Sequence, residues 1–184
     1  MRADFKVVLD ACVPANYGVA NLLLSLAEKP RLYLPVWSEE ILSETRRTQV
    51  GRFLWEERIA DSLHAQLRRV FPESLIQGFD HLITECTNDT KDRHVLACAI
   101  HSKAEVILTF NLRDFPAASL ARWGITAEHP QDYLLMLLKL EPLLVMHQLG
   151  VIAGKRSCSL EDHLIDIGRF VPAFTAKVLE ELES

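Results

Sequence analysis

Carboxylate side chains recur beside short apolar runs of this sequence, and such side chains could together hold a divalent cation. Asp10 follows the run FKVVL, and Asp92 stands just ahead of the apolar segment VLACAI. Asn111 and Asp114 follow the run VILTF, and Glu44 belongs to the segment WSEEILSETRR. Carboxylates that lie close together repel one another unless a cation compensates their charge. Oxygen ligands favour Mg²⁺ or Mn²⁺, whereas zinc prefers cysteine or histidine.

Alternating strands and helices are needed to bring these residues together, and the apolar pattern predicts them. Short β-branched or apolar runs indicate strands, and apolar residues at helical spacing indicate the segments between them. The alternation predicts an α/β fold, a three-layer α/β/α sandwich around a mainly parallel sheet of four to five strands, followed by C-terminal helices. The predicted strands are 5–9, 32–36, 104–110 and 125–127, with a possible further strand at 81–86. The predicted helices are 13–28, 39–47, 52–70, 90–103, 116–122, 130–149 and 159–183.

The acidic residues fall at the carboxyl ends of the predicted strands, beyond which open parallel sheets bind their ligands. Asp10 ends one strand, and Asp92 lies in the first turn of the helix that leads into another. Glu40 and Glu44 are one turn apart on one helix face, so either could complete the cluster. The predicted catalytic and metal-binding set is Asp10, Glu44 (or Glu40), Asp92, and Asn111 or Asp114.

Each acidic residue also has a purely structural interpretation. Asp89 suits the N-cap of the helix that follows it, and Asp92 suits the first turn of that helix, where such contributions are about 0.5–2 kcal/mol. Asp10 fits a turn after a strand, and Asp114 fits the cap of a short helix near residue 116. The convergence of separate segments on one edge of the sheet favours the metal site over these separate explanations.

Four motifs stand in this order along the chain: VVLDACV, WSEEILSETRR, KDRHVLACAI and VILTFNLRDFP. Over about residues 5–130 they resemble a PIN-domain nuclease, and especially the VapC-like toxins of bacterial toxin–antitoxin pairs. The resemblance implies a small α/β/α sandwich whose acidic residues hold one or two Mg²⁺ or Mn²⁺ ions and hydrolyse single-stranded RNA, often tRNA or rRNA. By motif, Asp10 and Asp92 are then metal-binding carboxylates, and Glu44 is the helix glutamate. The predicted domains are a PIN-like nuclease domain over 1–130 and a helical extension over 131–184 that packs on the domain or on a partner.

The sequence departs from the family pattern at one position. The fourth acidic residue of the family usually stands two residues after a strand-end threonine, and here Thr109 is followed at that place by Asn111. An asparagine brings a carbonyl oxygen but no charge, which Asp114 would supply directly or through water. The resemblance also implies that Thr109 helps to position the site through its hydroxyl.

Basic side chains near the acidic motifs are candidates for binding the phosphates of RNA. Solvated helix faces or ion pairs with nearby acidic residues explain them equally well. These supporting residues are Arg93, Arg113 and Arg46, with Arg47 beside the last. His94 and His101 are one heptad apart on one predicted helix, and we interpret them as partly packed surface residues and not as metal ligands.

The composition predicts a soluble globular protein, with 49% hydrophobic and 24% charged residues. The net charge of −5 argues against a protein that binds nucleic acid through its overall field, but it allows a local basic groove. The four cysteines have no CxxC spacing, so we interpret them as reduced and mostly packed. Since neither a signal peptide nor an apolar stretch of roughly 20 residues occurs, we expect a cytoplasmic protein without a membrane partner.

Two classes of function follow from these observations. The leading hypothesis is a metal-dependent endoribonuclease, with Mg²⁺ or Mn²⁺ as cofactor, that acts as a toxin. For this hypothesis the resemblance implies an RNA substrate, a cognate antitoxin and a homodimer. The alternative is a catalytically weak PIN-like module that binds RNA or a protein, and the uncharged Asn111 keeps it open. A phosphatase of another α/β family is disfavoured because no second aspartate stands two residues after Asp10.

Overall fold

Parallel strands form the one sheet of the computed structural model, which describes residues 5–183. The strands are β1 (Lys6–Leu9), β2 (Leu34–Val36), β3 (Val106–Leu108) and β4 (Thr126–Glu128). Their order is β2-β1-β3-β4, and each neighbouring pair is parallel. The central strands β1 and β3 are almost entirely buried, as expected for short apolar strands that are covered on both faces.

Helices cover both faces of this sheet, so the predicted three-layer α/β/α sandwich is confirmed. The helices between the strands are α1 (Cys12–Ala15), α2 (Tyr17–Ala27), α3 (Glu39–Gly51), α4 (Glu57–Val70), α5 (Arg93–Ser102) and α6 (Ala117–Leu120). The connection through α2 runs from β1 to β2, whereas the connection through α3, α4 and α5 runs back past β1 to β3. Right-handed crossovers in opposite directions place their helices on opposite faces of a sheet.

The chain continues after β4 as further helices that pack on the sandwich. They are α7 (Pro130–Leu140), α8 (Pro142–Lys155), α9 (Leu160–Gly168) and α10 (Pro172–Leu182). Helices α8 and α9 contact α2, and α10 contacts α7 and α9. Their buried side chains, among them Tyr133, Leu149 and Phe174, belong to the same hydrophobic core as the central strands.

The two long helices predicted for 130–149 and 159–183 are each broken into two shorter ones. The first break lies at Glu141, because Pro142 disfavours a helical conformation of the residue before it and cannot donate its own nitrogen. Pro172 starts α10 after the second break in the same way. Among residues 5–183, no single helix is long and apolar enough to cross a membrane, although α7 and α8 meet that description together as a pair bent by 118°.

The prediction of a possible strand at 81–86 is wrong. Residues Asp80–Glu85 form a 3₁₀ helix that packs against α5. A short apolar run such as HLITEC is compatible with a strand or a helix, so the element that it packs against decides which of the two it forms. Here the neighbouring surface is a helix and not an edge of the sheet.

Candidate active site

The carboxyl ends of β1 and β3 open into a cleft of about 480 Å³. The chain leaves β1 toward β2 and later returns to β3 on the other side of β1, and ligand sites form where connections diverge in this way. Asp10, Glu44, Asp92 and Asn111 all line the cleft, so the fold brings together predicted site residues from four segments. The other residues that line it are Ala11, Cys12, Arg47, Thr48 and Arg52.

Asp10 is buried at the end of β1, with 4% of its surface exposed. Thr109 Oγ1 donates a hydrogen bond of 2.7 Å to Asp10 Oδ2, and Cys12 Sγ donates to the same oxygen at 3.0 Å. Burial raises the pKa of Asp10, whereas these two hydrogen bonds lower it. The Thr109 hydroxyl also accepts the backbone N–H of Asn111 at 2.9 Å, and it thereby links the aspartate to the loop after β3.

Cys12 is a cleft residue that the sequence interpretation treated only as a packed thiol. Its Sγ accepts the backbone N–H of Phe110 at 3.3 Å, in addition to its contact with Asp10. Burial, and then the charge of Asp10, raise the pKa of Cys12, so the thiol is protonated at neutral pH and acts as a donor. The one sequence signal for this role is the position of the cysteine two residues after the strand-end aspartate.

The pKa of Asp92 reflects the burial and the negative charge of the cleft. Asp92 ends a 3₁₀ turn over residues 90–92. Asp89 caps this turn, because its Oδ1 accepts the N–H of Lys91 at 3.0 Å, so the capping role predicted for Asp89 is confirmed. The pKa of Asp92 is raised to about 6, first by burial and then by neighbouring carboxylates, with Asp10 the strongest of these. The negative charge in the cleft is therefore incompletely compensated by the protein itself.

Glu44, and not Glu40, lines the cleft. Glu44 Oε1 lies 3.4 Å from Arg47 Nη2, and its Oε2 lies 3.3 Å from Nε2 of His94. Glu40, one helical turn earlier, places its Oε2 3.7 Å from Nδ1 of the same histidine. His94 is buried, which corrects its interpretation as a partly packed surface residue.

Arg47 and Arg52 are the basic residues of the cleft lining. Arg46, which was predicted to support the site, instead binds Asp61 at 2.6 Å and Glu57 at 3.0 Å on α4. Successive residues of a helix point about 100° apart, so Arg46 and Arg47 face different neighbours. A phosphate contact by Arg46 stays a prediction.

Arg93, Arg113 and Asp114 are not among the residues that line the cleft. Arg93 Nε donates a long hydrogen bond of 3.5 Å to the carbonyl oxygen of Asn88, and Arg113 is exposed. The charge of Asp114 acts on the cleft, because it helps to raise the pKa of Asp92. The roles predicted for these three residues stay predictions.

Comparison with known proteins matches the part of the chain that builds this cleft. The model of the PIN domain family matches residues 3–113. The protein named Putative ribonuclease VapC50, from Mycobacterium tuberculosis, is 42% identical over 103 residues, which are 54% of this chain. The match spans 61% of the length of that relative. No solved structure gives a significant match.

Proposed function

The chain belongs to the PIN domain family, and from this premise we propose that it is a metal-dependent endoribonuclease that hydrolyses phosphodiester bonds of single-stranded RNA. The observation that carries the proposal is the meeting of Asp10, Glu44 and Asp92 in one cleft, where burial and then the neighbouring carboxylates raise the pKa of Asp92 to about 6. The name of the Mycobacterium tuberculosis relative supports RNA as the substrate.

The donor atoms of the cleft fit Mg²⁺ or Mn²⁺. Asp10, Glu44 and Asp92 offer carboxylate oxygens, and Asn111 offers an uncharged amide oxygen. Within residues 5–183, the acidic residues of the cleft do not form a group whose ligand atoms all lie within 4.8 Å of one another. An ion that keeps several of its waters, as Mg²⁺ commonly does, therefore suits this site. When bound, such an ion polarises a phosphate oxygen and lowers the pKa of a water molecule.

The residues of the chain have separable roles in the proposed reaction. Thr109 and Cys12 orient the Asp10 carboxylate by hydrogen bonds to its Oδ2. Arg47 and Arg52 provide the positive charge that binds the phosphates of the RNA, in a protein whose net charge is −5. Asp114 adds negative charge near Asn111, the position at which the family usually has an acid.

The proposal extends to partners by way of the family. We propose that the protein is the toxin of a type II toxin–antitoxin pair, with a cognate antitoxin, a homodimeric state, a cytoplasmic location and a tRNA or rRNA target. Residues 1–130 are proposed as the nuclease domain, with 131–184 as a helical extension packed on it. The exposed leucines at the bend between α7 and α8, Leu140 and Leu143, are candidate contacts for a protein partner.

Metal removal tests the proposed activity directly. Protein treated with EDTA and then freed of the chelator is expected to leave a single-stranded RNA oligonucleotide intact, and to cleave it when Mg²⁺ or Mn²⁺ is added. Denaturing gel electrophoresis measures the cleavage, and a DNA oligonucleotide of the same sequence is the control that should stay whole. RNA that binds equally well with and without metal but is never cut would favour the alternative of a binding module.

The raised pKa of Asp92 predicts how the stability of the metal-free protein depends on pH. Its pKa is about 6 in the folded protein against an ordinary value of 3.8, so the folded state binds more protons than the unfolded state between these values. Ionised Asp92 therefore destabilises the folded protein. This destabilisation is absent below about pH 4 and complete above about pH 6. We expect Asp92→Asn to melt at a higher temperature than the wild type at pH 7.5, with the difference vanishing at pH 4.

Differential scanning fluorimetry over this pH range, without divalent ions, measures the effect. The matched control is Asp80→Asn, which removes an exposed aspartate outside the cleft and should show no pH-dependent gap. An Asp92→Asn variant that is less stable than the wild type at pH 7.5 would show that burial and the neighbouring carboxylates do not destabilise the charged form of Asp92.

A further inference from the structure

His94 is a buried histidine that faces two glutamates across the space between α5 and α3. Only 5% of its side chain is exposed, and its Nε2 lies 3.3 Å from Glu44 Oε2. Its Nδ1 lies 3.7 Å from Glu40 Oε2. Both nitrogens are within ion-pair distance of a glutamate, but within the part of the chain that the structure describes neither makes a hydrogen bond of good geometry.

This arrangement calls for an explanation, because buried polar side chains nearly always have a hydrogen-bond partner and an unpaired one is costly. The local sequence builds the arrangement from two helices. Glu40 and Glu44 are one turn apart on α3 and so project from one face of it, while His94 is near the start of α5, two residues after Asp92. A nitrogen donor and two carboxylates thus meet at the edge of the cleft, which Glu44 lines and Glu40 and His94 do not.

We propose that Glu40, Glu44 and His94 bind a divalent transition-metal ion at a second site, which shares only Glu44 with the oxygen-only site of the cleft. One ligand atom from each residue can be chosen so that all three lie within 4.8 Å of one another. Ligands that share an ion with bonds of roughly 2.0–2.2 Å are about 3–4 Å apart, so small side-chain adjustments suffice.

The donor set decides the class of ion. An imidazole nitrogen with two carboxylates suits Mn²⁺, Zn²⁺ and similar ions, whereas Mg²⁺ and Ca²⁺ prefer oxygen ligands alone. The Glu40 side chain is 56% exposed, so an ion can enter from solvent and keep water in its remaining positions. Glu44 belongs to both sites, since its Oε1 lies toward Arg47 of the cleft and its Oε2 toward His94. That shared role rests on the proposed function, but metal binding by the three residues does not.

Pulsed electron paramagnetic resonance with Mn²⁺ as the probe tests the proposal, because a directly bound imidazole gives a nitrogen hyperfine coupling. The background variant is Asp10→Asn with Asp92→Asn, which removes two of the three carboxylate charges of the oxygen-only site and leaves Glu40, Glu44 and His94 intact. We expect this variant to bind one Mn²⁺ with the nitrogen coupling, and added Zn²⁺ to displace it.

Adding His94→Gln should abolish the coupling, whereas His101→Gln, which alters an exposed histidine of the same helix, should leave it unchanged. A second variant is needed because His94 is buried and its replacement can unfold the protein. Glu40→Gln alters an exposed side chain, and it should weaken Mn²⁺ binding roughly tenfold or more. A coupling that is missing from the background variant, or that survives His94→Gln, would overturn the proposal. An ion pair of protonated His94 with both glutamates would then explain the geometry without a metal.

The outcomes also separate this inference from the proposed function. Nitrogen-coupled Mn²⁺ in a protein that never cleaves RNA would support the site while removing the ribonuclease proposal. Metal-dependent cleavage by a protein whose Mn²⁺ shows no nitrogen coupling would overturn the site and leave the ribonuclease proposal standing.

Discussion

Replacing Asp10 with asparagine is expected to lower metal-dependent RNA cleavage by at least about a hundredfold while the protein stays folded. The carboxylate sits at the end of β1, where Thr109 and Cys12 both donate hydrogen bonds to its Oδ2. Asparagine has almost the same shape, but it has no charge to hold a divalent ion. Since burial raises the pKa of Asp10, loss of its charge also relieves a desolvation cost, so the melting temperature should not fall.

Initial cleavage rates at saturating Mn²⁺, together with calorimetric Mn²⁺ titration, measure this effect. The control is again Asp80→Asn, a matched change of an aspartate outside the cleft, which should keep the wild-type rate. An Asp10→Asn variant that retains more than a tenth of the wild-type rate would show that this carboxylate does not hold the catalytic ion.

Truncating Phe174 to alanine is expected to lower the free energy of unfolding by about 3–5 kcal/mol. Phe174 lies on α10, is completely buried, and belongs to the hydrophobic core that also contains the central strands. The cavity left by the ring would therefore weaken the whole sandwich and not only the last helix. Equilibrium unfolding in urea, followed by circular dichroism and by tryptophan fluorescence, measures the change.

Leu143→Ala is the matched control, because this leucine is 86% exposed at the start of α8. Such a surface change should alter the free energy of unfolding by less than about 0.5 kcal/mol. If Phe174→Ala instead produced a separate early transition and left the main one in place, the C-terminal helices would fold as an independent unit.

The part of the site that sequence reasoning could find is the part that follows from the ends of parallel strands. Asp10 follows a short β-branched run that indicates a buried strand, and Asp92 stands at the start of the helix that leads into another parallel strand, so it can lie at the same edge. Parallel strands put their carboxyl ends on one side, so the meeting of these two residues needed no knowledge of side-chain contacts. The same reasoning predicted the layers of the fold.

Contacts between segments decided what the sequence could not predict. Arg46 and Arg47 are adjacent in the sequence, and only the position of α4, with Asp61, determines which of them faces the cleft. Cys12 was interpreted as a packed thiol because it lies in an apolar run, and its role as a donor depends on the geometry of the Asp10 carboxylate. His94 was misjudged for a similar reason, since one helical position can be buried or exposed depending on the neighbouring helix.

The pairing of β1 with β3 places Leu9 opposite Leu108, and the Asp10 backbone N–H donates to the Leu108 carbonyl oxygen at 3.0 Å. Thr109 is consequently the next residue along and meets the Asp10 carboxylate. Side chains alternate between the two faces of a sheet, so a slip of one residue between these strands would turn the threonine away. A misaligned chain would then bury the Asp10 carboxylate without its hydroxyl donor. The hydrogen bond between Thr109 and Asp10 therefore disfavours mispairing of β1 and β3 during folding.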